Sequence, residues 1–178
     1  MATDPGSPAS TTTARGGSAA EANPEPVVDV SAFGDEVSHA RAMWAADFAS
    51  AALGMHAIEV GLVDGPNDTR LGHARVRMTV DRRMVNGHDI CHGGYLFTLC
   101  DSAFALACNA SGRPTVAAGC DIDYLEPVRL GDVLVAEAAE RLVRGRSGIT
   151  DVTLTRESDG RVVAEFRGRS RTLPPARS

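Results

Sequence analysis

Asn86-Gly87-His88-Asp89-Ile90-Cys91-His92-Gly93-Gly94-Tyr95-Leu96-Phe97-Thr98-Leu99-Cys100-Asp101 is a polar, glycine-containing loop that runs directly into an apolar segment. From Tyr95 to Cys108 the only charged residue is Asp101. A helix that is hydrophobic all round is a buried helix, and an ionised carboxylate in it is costly to desolvate unless partnered. Gly93 and Gly94 leave the amides at the helix entrance uncrowded by side chains. Those amides lack intrahelical partners and sit at the positive end of the helix dipole, so they suit an oxyanion or a polarised carbonyl. An electrophilic loop and one isolated carboxylate on the same core helix have the makings of a hydrolytic site.

The 178 residues suit one domain plus a tail. A hydrophobic content of 43% is that of a globular chain, and no apolar run approaches the roughly 20 residues of a membrane span. A net charge of −5 argues against nucleic acid as a partner. All 18 basic residues are arginine, which excludes a Schiff-base or P-loop lysine and is also what GC-rich coding produces. Cys91, Cys100, Cys108 and Cys120 form no C-x-x-C pair. With no signal-peptide core at the start, reduced thiols in a cytoplasm are expected.

Residues 1–34 are rich in Pro, Gly, Ser, Thr and Ala and read as a disordered tail, residues 35–173 as the folded domain and 174–178 as a C-terminal tail. The pattern predicts a first helix from Asp35 or Ser38 to Leu53, with Trp44, Phe48 and Ala51 on one face and Gly54 as its stop. Strands are predicted near Met55–Val63 and Leu71–Val80, then the central helix from Gly93 to Ala110. Four period-two runs follow at Thr115–Leu125, Asp132–Leu142, Ile149–Arg156 and Arg161–Thr172. In the last, Val162, Ala164 and Phe166 alternate with Val163, Glu165, Arg167, Arg169 and Arg171, one face buried and one wetted. A sheet that covers an all-apolar helix has to curl around it. The class is α+β, and the arrangement is that of the hotdog fold.

Asp101 has two readings: a buried carboxylate satisfied by Thr98 or Ser102, or a general base or nucleophile. The Gly93-Gly94 pair either eases a tight turn or, with Asp101 eight positions on, supplies the oxyanion site. Eight helical residues span about 12 Å, so one chain's Gly93 N–H and Asp101 cannot serve one carbonyl carbon. If both act, they come from two subunits. His88, Cys91 and His92 have ligand-like spacing, but they lack a fourth ligand and sit in a glycine-containing loop, so no metal is expected and His92 reads as a loop brace. The stretch Arg144-Gly145-Arg146-Ser147-Gly148 is either an ordinary hairpin or a phosphate-holding loop.

Asn86-Gly87-His88 and Cys91-His92-Gly93-Gly94-Tyr95-Leu96-Phe97-Thr98-Leu99-Cys100-Asp101, together with Asp121-Ile122-Asp123-Tyr124-Leu125-Glu126-Pro127 and Phe166-Arg167-Gly168, resemble the phenylacetic-acid-degradation (PaaI-type) acyl-CoA thioesterases. The likeness covers about residues 38–173. It implies a hotdog fold, dimers paired into a homotetramer, and a site at the dimer interface. It also implies Asp101 as catalytic carboxylate, Gly93 N–H as carbonyl polariser, and Asn86 and His92 as further catalytic-loop residues. Gly94, Tyr95 and Thr98 beside them, and Arg144, Gly145 and Arg146 if their loop holds phosphate, are expected to contact the substrate. The implied substrates are phenylacetyl-CoA and its ring-hydroxylated relatives, with no cofactor beyond the CoA of the substrate itself. Relatives often place a Ser or Thr near Ala117-Ala118-Gly119 to orient water, and this chain has no hydroxyl there. A hotdog hydratase, with His92 as its base, and a non-catalytic acyl-CoA-binding protein are the alternative readings.

Overall fold

α3, Gly93–Asn109, is the axis of the molecule. The computed structural model describes residues 24–174. Around α3 lie α1 (Ser38–Trp44), α2 (Phe48–Ala52) and six strands: β1 (His56–Asp64), β2 (Arg70–Thr79), β3 (Thr115–Tyr124), β4 (Val133–Arg144), β5 (Ser147–Arg156) and β6 (Val162–Thr172). They form one antiparallel sheet in the order β1-β2-β4-β5-β6-β3. This is the expected α+β hotdog architecture. Leu96, Leu99, Cys100, Ala103, Phe104, Leu106 and Ala107 of α3 are buried with Val76, Met78, Leu134, Ala136, Val152, Leu154, Ala164 and Phe166 of the sheet. Burying each large aliphatic side chain contributes about 1.5–3 kcal/mol, so this helix–sheet layer dominates stability. Among the described residues no helix is long and apolar enough to cross a membrane.

Two glycines set how closely helix and sheet approach. A Cβ at Gly72 of β2 would overlap the Ala107 carbonyl oxygen of α3, and one at Gly168 of β6 would lie 2.5 Å from the Phe104 ring. Past Gly72 the β2–β4 ladder ends, and the buried Glu140 carboxylate accepts the Gly72 N–H at 3.0 Å. At the end of α3 the Asn109 side chain donates to Ala105 O and Thr115 O and accepts from Thr115 N, each at 2.9 Å. That clamp fixes the exit of the helix onto β3.

Three expectations need correction. The first helix is two helices, because Asp47 starts a new one by accepting Ser50 N–H at 2.9 Å. Trp44 is 4% exposed and Phe48 50% exposed, so they do not share a face. The packed domain also begins before residue 35: Ala32 and Phe33 are buried, Phe33 bridges Val60, and Gly34 N donates to Val60 O at 3.1 Å. Residues 1–23 and 175–178, most of both expected tails, lie outside the described residues. In β6 an irregularity pairs Leu154 with Ala164 but Thr155 with Val162, so Val163 is the extra residue and turns into the core while Val162 is exposed.

The sheet has two edges. The segment at Phe33 lies against β1. β3 bonds only β6 among the described strands, and its Val116 and Ala117 are exposed. An exposed apolar edge strand is a template for pairing with another chain.

Gly72→Ala tests the close approach. Overpacking of this kind costs about 1–3 kcal/mol. The melting temperature should fall by several degrees, more than for Gly87→Ala, where nothing lies within 4 Å of the new methyl.

Candidate active site

The loop before α3 is held from several sides. Asn86 Oδ1 accepts His88 N–H at 2.8 Å, Asn86 N donates to Ile90 O at 2.9 Å, and Asp89 takes the left-handed conformation with φ 55°. Cys91 N donates to Val128 O at 2.7 Å and His92 N to Met84 O at 2.8 Å. His92 is the N-cap of α3: its Nδ1 accepts Gly94 N–H at 3.0 Å. The other end of that same peptide is held as well, since Tyr124 O–H donates to Gly93 O at 2.9 Å. Thr98 Oγ1 donates to Gly94 O at 2.8 Å. With its neighbours so engaged, the Gly93 N–H meets no acceptor among the described residues. Gly93 lines a cleft of about 490 Å³ with Asn86, Ile90, Leu96, Tyr124 and Pro127, among others. A Cβ at Gly93 would lie 2.9 Å from Tyr124 Cζ, so a side chain there would displace the Tyr124 ring.

Asp101 is half-buried on the stripe of α3 that also carries Gly94, Thr98 and Ala105, and it lines neither cleft at the helix entrance. Burial, and after it the charge of Asp47, push its carboxyl above the usual carboxylate range. The hydroxyls that could have satisfied it are occupied elsewhere. Thr98 bonds the Gly94 carbonyl, and Ser102 Oγ lies 2.8 Å from Ser50 Oγ. Ser50 spends its one proton on Asp47 Oδ2 at 2.6 Å, so Ser102 is the donor to Ser50. Asp101 therefore remains a carboxylate without a hydrogen-bond donor among the described residues, the state of a group available to take a proton. Because α3 is continuous from Gly93, Asp101 stands about 12 Å along the axis from the open amide.

The other expected site residues separate into two places. His92, Gly94, Tyr95 and Thr98 line a second cleft of about 330 Å³ with Leu53. Arg144, Gly145 and Arg146 form the β4–β5 turn, where Arg146 Nε donates to Thr172 O at 2.9 Å and Arg113 reaches Gly145 O at 3.4 Å. Thr115, at the exit of α3, pairs with Thr172. The turn is thus at the opposite end of the 17-residue helix from Gly93, about 25 Å away along its axis. Within one protomer it is not part of the same site, and Arg146 is accounted for as a tie between the turn and β6. The Arg167 and Arg169 stripe is an ion-paired outer face, with Asp151 and Asp121 as partners. Cys91 is buried and its thiol is pushed up to about 11, chiefly by burial and then by the charge of Asp81. Among the described residues no group of His, Cys, Asp and Glu could hold a metal.

Tyr124, Ser50 and Asp47 were not singled out from sequence. Tyr124 lies 31 positions from Gly93 and meets it only when β3 returns along the helix. Asp47 carries one local signal, an Asp three positions before Ser50 in an alanine-rich stretch, which reads as an N-cap.

Residues 88–163 match the Thioesterase superfamily model. The acyl-coenzyme A thioesterase PaaI of Escherichia coli is 40% identical over 135 residues, 76% of this chain and 89% of that protein. The structure of E. coli PaaI, from the phenylacetic acid degradation operon, superposes with a TM-score of 0.66 over 76% of this chain and 91% of that one, at 39% identity. A hypothetical thioesterase from Streptococcus pneumoniae, solved with coenzyme A, gives a TM-score of 0.59 at 27% identity, over 70% of this chain and 88% of that one. The family match spans the helix entrance, the central helix and β3 to β5. The chain belongs to the thioesterase superfamily as a PaaI-type hotdog-fold thioester hydrolase.

Proposed function

We propose that the protein hydrolyses aryl-acyl-CoA thioesters of the phenylacetyl-CoA type, including ring-hydroxylated ones, to the free acid and CoA. The observation that carries the chemistry is the first turn of α3, where Gly93 lines an apolar cleft and its N–H is left open while its neighbours are bonded. The thioester carbonyl oxygen accepts that N–H. Asp101 takes a proton from water as the water oxygen bonds the carbonyl carbon, and the developing oxyanion is held by the amide and the helix dipole. Collapse breaks the C–S bond, and the proton returns to the departing thiolate. Support for a CoA ester comes from the name of the E. coli relative and from the CoA-bound S. pneumoniae neighbour. The His92 ring is engaged through Nδ1 as a helix cap, which disfavours the hydratase reading that needs it as a base.

The site is completed across a dimer, Gly93 from one protomer and Asp101 from its partner, because a straight helix keeps one chain's two groups about 12 Å apart. The open apolar edge of β3 supports this pairing. Dimers pair further into a tetramer, in the cytoplasm. With alanine and glycine at 117–119, water is oriented by Asp101 and groups other than a hydroxyl at those three positions.

Asp101→Asn should lower hydrolysis of phenylacetyl-CoA by about 10²–10⁴ while the fold persists. Because ionising a carboxyl with a raised folded value weakens the folded state above that value, the variant's melting temperature at neutral pH should hold or rise, and any gain should vanish at acid pH. Near-normal turnover would remove Asp101 from the mechanism. Heterodimers of Asp101→Ala with Gly93→Val each contain one intact site and should recover activity toward half of wild type per dimer; verified heterodimers that stay inactive would contradict the shared site. Tyr124→Phe frees the Gly93 carbonyl but keeps the ring. It should lower kcat several-fold with little change in KM, since loosening the Gly93–Gly94 peptide frees the turn that presents the Gly93 N–H, and that N–H matters most in the transition state.

A further inference from the structure

Ser50 is a buried polar residue, 1% exposed, and it stands at the middle of a hydrogen-bond chain. Ser102 O–H donates to Ser50 Oγ (2.8 Å), Ser50 O–H donates to Asp47 Oδ2 (2.6 Å), and Ser50 N–H donates to Asp47 Oδ1 (2.9 Å). Ser102 is the chain neighbour of Asp101 on α3. α2 has only five residues, too few to be stable alone, so its position is set by this bridge and by the packing of α1 against α3. A cap needs only one oxygen of Asp47. The second oxygen and the two hydroxyls tie the carboxylate to the helix turn that carries Asp101.

Among the described residues, no cation is among the groups that act on Asp101. From its own helix come Cys100 and Cys108, both pushed up to about 12 mainly by burial and so neutral. From β3 comes Cys120, also raised by burial, and from β6 Glu165, which acts on Cys100. Arg169 of β6 is paired with Asp121. The charged group that acts on Asp101 is Asp47, and it acts in the same direction as burial.

We propose that Asp47 is a positioning residue: tied through the Ser50–Ser102 hydroxyl bridge to the turn of α3 that carries Asp101, it holds a second negative charge at that turn and tunes Asp101 as a base. The proposal rests on the reading of Asp101 as general base. A carboxylate poised closer to neutrality is the stronger base for removing a proton from water, and a like charge held by hydrogen bonds in a short helix is a means of poising it without contact with substrate.

The test is the pH dependence of kcat/KM for phenylacetyl-CoA with the full-length protein. The acid limb reports the base of the free enzyme. Asp47→Asn is isosteric and keeps an oxygen for the Ser50 N–H. Its acid limb should move to lower pH by about half a unit, while Asp47→Glu, which keeps the charge, stays with wild type. In wild type, salt should move the limb the same way, because a partly exposed pair is screened, and in Asp47→Asn it should move it less. A limb that coincides with wild type in a folded Asp47→Asn, or one displaced equally by Asn and Glu, overturns the proposal and leaves Asp47 a helix cap. If Asp47→Asn does not fold, a wild-type limb independent of salt overturns it. Asp101→Asn separates the two readings: full activity there removes the base itself, whereas loss there with an unmoved Asp47→Asn limb removes only the role of Asp47.

Discussion

An apolar helix with one carboxylate is the constraint on which the remainder of the molecule depends. α3 buries Leu99, Phe104, Leu106 and their neighbours, so something must cover nearly its whole circumference. The six-stranded sheet does so on one side by curling, and the approach is close enough that Gly72 and Gly168 have no room for a side chain. The stripe of Gly94, Thr98, Asp101 and Ala105 escapes the sheet. The carboxylate lies on that stripe because burial beneath the sheet without a donor would cost far more.

Rigidity at the helix entrance and openness at Gly93 arise together. Each of the bonds from His92, Tyr124 and Thr98 removes one way for the first turn to relax. An amide held in advance needs no reorganisation when charge develops on the carbonyl oxygen, which is where electrostatic catalysis gains most. The same continuous helix that provides this rigidity separates the amide from Asp101 along its axis. One protomer then holds the open amide and the carboxylate with no single place where they meet, which is why the proposed reaction is placed across two copies.

The break between α1 and α2 ties the N-terminal segment to α3. The chain restarts at Asp47, and the buried hydroxyls of Ser50 and Ser102 connect it to α3. A like charge beside Asp101 has an electrostatic cost, and the bridge offsets it locally.

Residues 86–101 by themselves determined the central helix, its open entrance and the isolated carboxylate, because an uninterrupted apolar run and a glycine pair are local properties of the chain. Period-two alternation likewise determined four of the six strands, and an axial rise of 1.5 Å per residue was enough to separate Gly93 from Asp101. Tertiary structure alone decided the pairing of Tyr124 with Gly93, the removal of the Arg144–Arg146 turn to the far end of α3, and the inward turn of Val163 at an irregularity in β6. It also decided that Thr98 and Ser102 do not donate to Asp101, since both hydroxyls find partners elsewhere, Thr98 within its own helix and Ser102 on α2. The physical reason is the same throughout. Hydrogen bonds between groups distant in sequence depend on how strands return along the helix, and no local pattern of residue types encodes that return.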